Sequence, residues 1–279
     1  MTIFPPVARR SSFSTRLSLN LRLFGEGALL SYRALFRWLR PGQYLASKVI
    51  LPATYIMFFT LIGVSARGWQ SASYYVIGNA IQMAAVSGIY GVTMSIGGDR
   101  WEGTLPYLFG TPANRLVMFV GRASLHVLDG MLGVVIALMW GVLLLGLNLS
   151  QTDPLALGLT ILITTFSTSG MGLLLGCLSL TVVDVMFINN LVFFLLLAFS
   201  GANIPIDILP GWMQAISQII PLTRGIAASR IIVAGGRLPD VLPLLAGEVL
   251  VGLIYILIGY SLFRWFEYQA KRRGTLEAF

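Results

Sequence analysis

The chain has 279 residues, of which 56% are hydrophobic and only 11% charged, and its mean hydropathy is +0.81. That composition excludes an ordinary water-soluble domain. The formal charge of +8 does not indicate nucleic acid, because the basic residues gather at the ends of long apolar runs.

The first segment is amphipathic. From about Leu17 to Leu39, the residues Leu29, Tyr32, Leu35, Phe36 and Leu39 recur at helical spacing, with Arg33, Arg37 and Arg40 on the opposite side. A helix lying in the membrane interface is expected, with Trp38 at headgroup depth. It is either a basic anchor or an elbow that transmits motion. No cleaved signal peptide is expected, since the first apolar run follows about forty Arg-rich residues and is too long for a signal h-region. Pro41-Gly42 then turns the chain into the membrane.

Six runs reach the roughly twenty apolar residues needed to cross a bilayer as a helix: about Tyr44–Val64, Tyr74–Ile96, Arg115–Leu147, Leu155–Leu180, Val185–Ala202 and Val241–Phe263. Helices are expected because lipid offers the backbone no hydrogen-bond partner and the alternation of a barrel strand is absent. Cys177, the single cysteine, lies in the fourth run, can form no intrachain disulfide and reads as a small packing residue.

All but four of the 19 Lys and Arg residues fall on one side of this six-span arrangement. Arg9, Arg10, Arg16, Arg22, Arg33, Arg37, Arg40 and Lys48 come before or at span one. Arg100, Arg115 and Arg122 surround the second gap, and Arg264, Lys271, Arg272 and Arg273 follow span six. Arg67, Arg224, Arg230 and Arg237 are left on the other side. The positive-inside rule puts both termini and the second gap in the cytoplasm, with attraction to anionic headgroups as a secondary effect.

That gap, about residues 98–110, is punctuated as a short helix. Gly97-Gly98 is expected to end span two and Asp99 to cap the helix, while Thr111 at N-cap with Pro112 behind it starts span three. Glu102 suits the first-turn dipole, and Trp101, Leu105 and Leu108 form an apolar ridge fit for a groove on another protein. The gap between spans five and six, about 201–224, is too apolar for a free loop and too broken by Pro205, Pro210 and Pro221 for a span. Short broken helices dipping back into the outer leaflet are expected, with Trp212 at the interface and Ile216, Ile219 and Ile220 on its helical face.

Four ionisable residues sit at membrane depth or at a span end. His126 and Asp129 lie one turn apart in span three, Asp184 begins span five, and Glu248 is inside span six. Intramembrane charge is a functional signal by default. For His126 and Asp129 the readings are mutual hydrogen bonding or helix-end solvation, polar lining of a pathway, and a metal site; the first is favoured. Asp184 reads as a helix cap and Glu248 as an internal pair or a substrate contact.

The element Glu102-Gly103-Thr104-Leu105 with Thr111-Pro112 and Arg115, together with the run from Ser200 through Pro210-Gly211-Trp212 to Pro221-Leu222-Thr223, resembles the permease subunits of ABC type-2 exporters across nearly the whole chain. Pro106 stands where that pattern often has an acidic residue. The resemblance implies an all-α polytopic membrane protein with six transmembrane helices, an N-terminal amphipathic interfacial helix and a re-entrant outer hairpin between helices five and six. Its domains would be a tail and elbow at 1–43, the membrane domain at 44–263 and a basic cytoplasmic tail at 264–279.

It further implies an ATP-driven exporter subunit in the inner (plasma) membrane that moves a drug, lipid, peptide or glycolipid. Asp99, Arg100, Trp101, Glu102, Gly103, Thr104, Leu105 and Leu108 would couple to a separate nucleotide-binding subunit, with Thr181 and Asp184 as a weaker contact. Pro205, Pro210, Trp212, Ile216 and Ile220 would form an outer gate, and His126, Asp129 and Glu248 are the candidate polar residues of the pathway. A second permease copy or a paralogue would complete the pathway. The sequence has no phosphate-loop motif, so no cofactor is expected in this chain, and ATP and Mg2+ belong to the partner. The alternatives are a secondary transporter, for which no internal repeat appears, and an integral-membrane lipid-modifying enzyme, which needs a denser polar cluster.

Overall fold

A computed structural model describes residues 19–29, 41–101, 103–104, 107, 114–179 and 184–273. The elements are α1 (19–29), α2 (Pro41–Arg67), α3 (Ala72–Ala85), α4 (Val92–Trp101), α5 (Arg115–Leu145), α6 (Pro154–Ser179), α7 (Val185–Phe199), α8 (Gly211–Ile219), α9 (Thr223–Val233) and α10 (Leu238–Arg273). No strand occurs among the described residues. The chain is an all-α polytopic membrane protein.

Five helical stretches are long and apolar enough to cross a bilayer: Gly42–Arg67, Trp69–Gly98, Val117–Leu145, Pro154–Ser179 and Leu238–Gln269. The fifth expected span is shorter than the sequence indicates. Its helix α7 has 15 residues, about 22 Å at 1.5 Å per residue against a hydrocarbon core of about 30 Å. Ser200 caps it and Gly201 follows with φ 81, a backbone turn that ends the helix. At the other extreme, α10 runs unbroken to Arg273, past the boundary expected at 263. Of the N-terminal elbow only 19–29 is described, and Tyr32, Leu35, Phe36, Trp38 and Leu39 lie outside the described residues.

The second span is not a uniform α-helix. Between α3 and α4 the turn Val86–Gly91 is π-helical, one wide turn that resets which residues face inward. This span and α6 are the centre of the bundle: 72% of each apolar window is buried, against 22, 33 and 28% for the first, third and last spans. The outer three therefore keep most of their surface for lipid or another chain.

Close approach at the centre depends on small residues, as expected where lipid removes the hydrophobic force between helices. A Cβ on Gly172 of α6 would lie 1.9 Å from the carbonyl oxygen of Gly88 in the π turn, and one on Gly170 would lie 2.6 Å from that of Gly252 in α10. Thr93 donates to Gly172 O at 3.2 Å across the same seam. Cys177 is buried among Val92, Ile96 and Phe263 in an apolar cluster, in line with a packing role.

Replacing Gly172 with Ala is expected to force α6 off the π turn, at a cost of about 1–3 kcal/mol typical of overpacking. In Gly158, on the same helix, a Cβ meets nothing within 4 Å. Thermal unfolding in detergent should show a clearly lowered midpoint for Gly172→Ala and none for Gly158→Ala; equal midpoints would refute the close seam.

Candidate functional site

Three polar regions follow one another along the bundle, beginning where α4 ends and α5 begins. The second apolar span ends at Gly98, as expected of the glycine pair, but the helix does not stop there: α4 continues through Asp99 to Trp101, so Asp99 lies inside a helix and does not start a new one. Gly97 serves packing instead, since a Cβ there would meet Ser179 Oγ at 2.5 Å. The glycine with a chain-reversing backbone is Gly103, at φ 66. Helix α5 is started by Asn114, whose side-chain oxygen accepts from Val117 N–H at 3.4 Å. The expected start at Thr111-Pro112 is thereby displaced, because the amide of Asn114 already supplies the cap; Thr111 and Pro112 themselves lie outside the described residues.

Of the expected coupling residues, Gly103 and Thr104 are exposed, as is Tyr107. Glu102, Leu105, Leu108 and Thr181 lie outside the described residues, as do the side chains of Asp99, Arg100 and Trp101. Asp184 caps α7, accepting from Phe187 N–H at 2.9 Å. Behind this end, the nearly buried Arg122 of α5 donates to the Ser95 carbonyl of α4 at 2.7 Å, tying together the two helices that flank the loop.

At mid-bundle the structure corrects the partner of Asp129. The residue is not paired with His126; its carboxylate meets Lys48 of α2, with Nζ 2.6 Å from Oδ2. Tyr44 and Ser87 both donate hydroxyl hydrogen bonds to the same carboxylate. Lys48 also donates to Ser87 Oγ at 3.0 Å and to the Asp129 carbonyl at 3.3 Å. The two charged side chains are only 14 and 10% exposed. Three helices thus meet at one carboxylate, and Ser87 reaches it from the π turn. His126 points elsewhere: it is buried against Gly91, where a Cβ would come within 2.4 Å of Nδ1, and its Nε2 has no hydrogen-bond partner among the described residues.

Sequence reasoning missed Lys48 as a site residue, although a lysine inside an apolar run was a visible signal; its charge was absorbed by the topology argument. Tyr44 and Ser87 gave no signal, since their roles come from contacts between residues 85 and 42 positions apart in the chain.

At the opposite end lies the segment between α7 and α10. Helices α8 and α9 meet at an angle of 87° across a break at Ile220 to Leu222. Pro210 precedes the first turn of α8, and Pro205 that of a short 3-10 turn at Ile206–Ile208. Ile216 and Ile220 face inward, but Trp212 and Ile219 are 61 and 63% exposed. The single packing face expected for all four is therefore split, because the bend turns Ile220 under while α8 stays at the surface.

Glu248 of α10 meets the bend from below. It is fully buried, and Oε1 accepts from Leu222 N–H at 2.7 Å. Leu222 is itself buried at φ 90, a region a branched side chain enters at a cost of order 1–3 kcal/mol. The carboxylate also sits at the N-terminus of α9, where a negative charge is favoured. On the chain after α7, Asn79 and Asn203 exchange amide hydrogen bonds at 2.8 and 3.3 Å, and Ser200 donates to the buried Gln82 at 3.2 Å. These contacts tie the chain after α7 to α3.

The mid-bundle pair is open to a direct test. Lys48→Ala strands Asp129 in hydrocarbon, at about 3–5 kcal/mol for a broken buried pair, whereas Lys48→Met with Asp129→Asn removes both charges and is expected to recover most of the loss. Unfolding midpoints of the two single variants and the double variant would show this as strong non-additivity. A Lys48→Ala protein as stable as the unaltered one would rule the pair out as a fastener.

The model of the ABC-2 type transporter family matches residues 27–234, which run from the end of α1 to just beyond α9. A Bacillus subtilis (strain 168) protein named "Putative transport permease YvfS" is 23% identical over 193 residues, covering 66% of this chain and 76% of that protein. Its match agrees with the class of the family model. With helices that cross the bilayer, a capped loop at one end and a bent hairpin at the other, the chain belongs to the ABC-2 type transporter family as a membrane permease.

Proposed function

We propose that this chain is the permease subunit of an ATP-driven exporter that moves an amphipathic or apolar cargo outward by alternating access. Drugs, lipids, peptides and glycolipids are the cargo classes in view. The nucleotide-binding subunit is a separate protein that carries ATP and Mg2+, and a second copy or a paralogue of this permease completes the pathway. The protein works in the inner (plasma) membrane with both termini in the cytoplasm, elbow at 1–43, membrane domain at 44–263 and basic tail at 264–279.

The observation that carries this reading is the continuity of α4. From Val92, just after the π turn, to Trp101 at the loop, the backbone is regular α-helix, about 15 Å at 1.5 Å per residue. Arg122 binds it to α5 and the Gly97 contact seats it against α6. A displacement applied at 98–110 is therefore carried stiffly as far as the π turn, where Ser87 meets the buried charge pair. Coupling would act through Asp99, Arg100, Trp101, Glu102, Gly103, Thr104, Leu105 and Leu108, with Thr181 and Asp184 alongside. The π turn between α3 and α4 supplies the compliant point, since wide turns of this kind recur at functional sites.

The bent segment with Pro205, Pro210, Trp212, Ile216 and Ile220 is assigned as the outer gate. His126, Asp129 and Glu248 are assigned to the polar machinery of the pathway wall, with Asp129 acting together with Lys48.

Two outcomes are expected. Glu102→Arg and Leu105→Asp leave the protein in the membrane but reduce co-purification of the nucleotide-binding subunit and transport; normal binding and transport in both variants would remove the coupling assignment. For orientation, cysteines placed at Gln70, Gln151 and Pro239 react with an impermeant reagent added outside, and those at Asn114 and Thr275 do not. Outside labelling at Asn114 would reverse the orientation.

A further inference from the structure

One face of α10 stays uncovered along most of the helix. Leu250, Leu253, Leu257 and Ser261 are exposed, and Arg264, Tyr268 and Arg272 continue the same face. The steps between them are of three and four residues and repeat from 250 to 261 and from 261 to 272, so all stay on one side of the helix. The opposite side is packed. A Cβ on Gly252 would lie 2.8 Å from Ser167 Cα, and one on Gly259 would lie 2.9 Å from Leu174 Cα.

The uncovered face changes its chemistry once. As far as Ser261 it is apolar, because that serine returns its hydroxyl to the Leu257 carbonyl at 2.8 Å. From Arg264 onward it is cationic and aromatic: the Arg264 side chain is 62% exposed, and Trp265 and Tyr268 are 54 and 62% exposed. Glu267 is the one acid in the sequence between 249 and 273, and it is buried. It comes no nearer to Arg264 than 3.8 Å, beyond hydrogen-bond reach. The exposed stripe therefore offers donors to an anion and no carboxylate to an ammonium.

The change falls at the membrane boundary. Phe263 stacks edge-on against Phe119 of α5, with ring centres 4.8 Å apart. At the same level α1 crosses α5 closely: a Cβ on Gly121 would lie 2.4 Å from the Phe24 carbonyl oxygen, and one on Gly27 would lie 2.7 Å from that of Met118. Because α1 belongs to the segment patterned as an interfacial helix, it marks the headgroup layer where leucine gives way to arginine. Arg264 and Arg272 are two turns apart, about 12 Å, and such long side chains bend toward one layer.

We propose that this stripe binds an anionic phospholipid, with the phosphate on Arg264 and Arg272, Trp265 and Tyr268 at the glycerol level, and the acyl chains along Leu250 to Leu257. A soluble acidic partner would engage the basic half alone and leave the leucine half unused, whereas a lipid uses both. The inference needs only that α10 crosses the bilayer, and it holds for any cargo.

The test exchanges the purified permease, with its partner where the two co-purify, into detergent with equimolar phosphatidylglycerol and phosphatidylethanolamine. Lipid retained on the protein is counted by native mass spectrometry. Phosphatidylglycerol is expected to be retained over phosphatidylethanolamine by about tenfold, and Arg272→Gln to lower its retention about fivefold, the attraction of one arginine near the surface. Arg264→Gln combined with Arg272→Gln removes the preference. Arg272 is exposed and makes no ion pair among the described residues, so the single variant keeps the fold, which an unchanged unfolding midpoint verifies. Arg237→Gln, at an exposed arginine just before the other end of α10, leaves retention unchanged; an equal loss there would reduce the effect to net charge and overturn the site. Soluble glycerophosphoglycerol in large excess should fail to displace the lipid, and full displacement by it would overturn a lipid as the occupant. A double variant that keeps phosphatidylglycerol but loses the nucleotide-binding subunit would make the stripe a protein contact, and equal retention of both lipids by the unaltered protein would end the proposal.

Discussion

Hydrocarbon satisfies no hydrogen bond, so every polar group within this bundle has to find its partner on another part of the protein. The second span meets that obligation through its neighbours. Asn79, Gln82, Ser87 and Thr93 are all buried along it, and Ser95 lends its carbonyl to Arg122. Each reaches a different neighbour: Asn79 and Gln82 the chain after α7, Ser87 the pair from α2 and α5, Thr93 the backbone of α6. The span is a polar spine around which the apolar helices are arranged. This explains why it is largely buried while the first and last spans are not.

The π turn belongs to that arrangement. From the wide turn at Val86–Gly91, Ser87 addresses Asp129 while Gly88 meets Gly172. A wide turn loses regular hydrogen bonding, and here it is held by the charge layer on one side and the glycine seam on the other. Local weakness thus sits where three helices converge.

Much of the fold was legible because membrane spans are written in composition. Long apolar runs, the cap Asp184 and the prolines that divide 201–224 all act within a few residues of their position, whereas the cap at Asn114 was read three residues early, at Thr111. What the sequence hid is long-range. Asp129 was matched with His126 because they are one turn apart, yet its partner Lys48 is 81 residues away. Gly97-Gly98 was read as a helix stop, since glycine weakens helices in water by about 1 kcal/mol each. The apolar span does end there, but the helix runs on to Trp101, and Gly97 is used for close packing against Ser179. Arg230 was visible as a charge in an apolar stretch, but it was counted for topology, and its stacking on Tyr74 depends on a fold the pattern does not encode.

The bend between α8 and α9 shows how narrowly such an element is balanced. Leu222 at φ 90 stores of order 1–3 kcal/mol of strain. A hydrogen bond from its N–H to the Glu248 carboxylate returns about 1.5–3 kcal/mol. The two terms nearly cancel, so the bend is held chiefly by what surrounds it: Ile220 and Leu222 buried beneath, and Arg230 fastening the loop that precedes α8. Glu248 Oε2 is left without a partner among the described residues, which makes the present bend no deep minimum for that carboxylate either. The hairpin thus combines a strained residue with a half-satisfied anion. Under the gate assignment proposed above, these are the features that would let it change shape, and they follow from Leu222 and Glu248 without any appeal to the cargo.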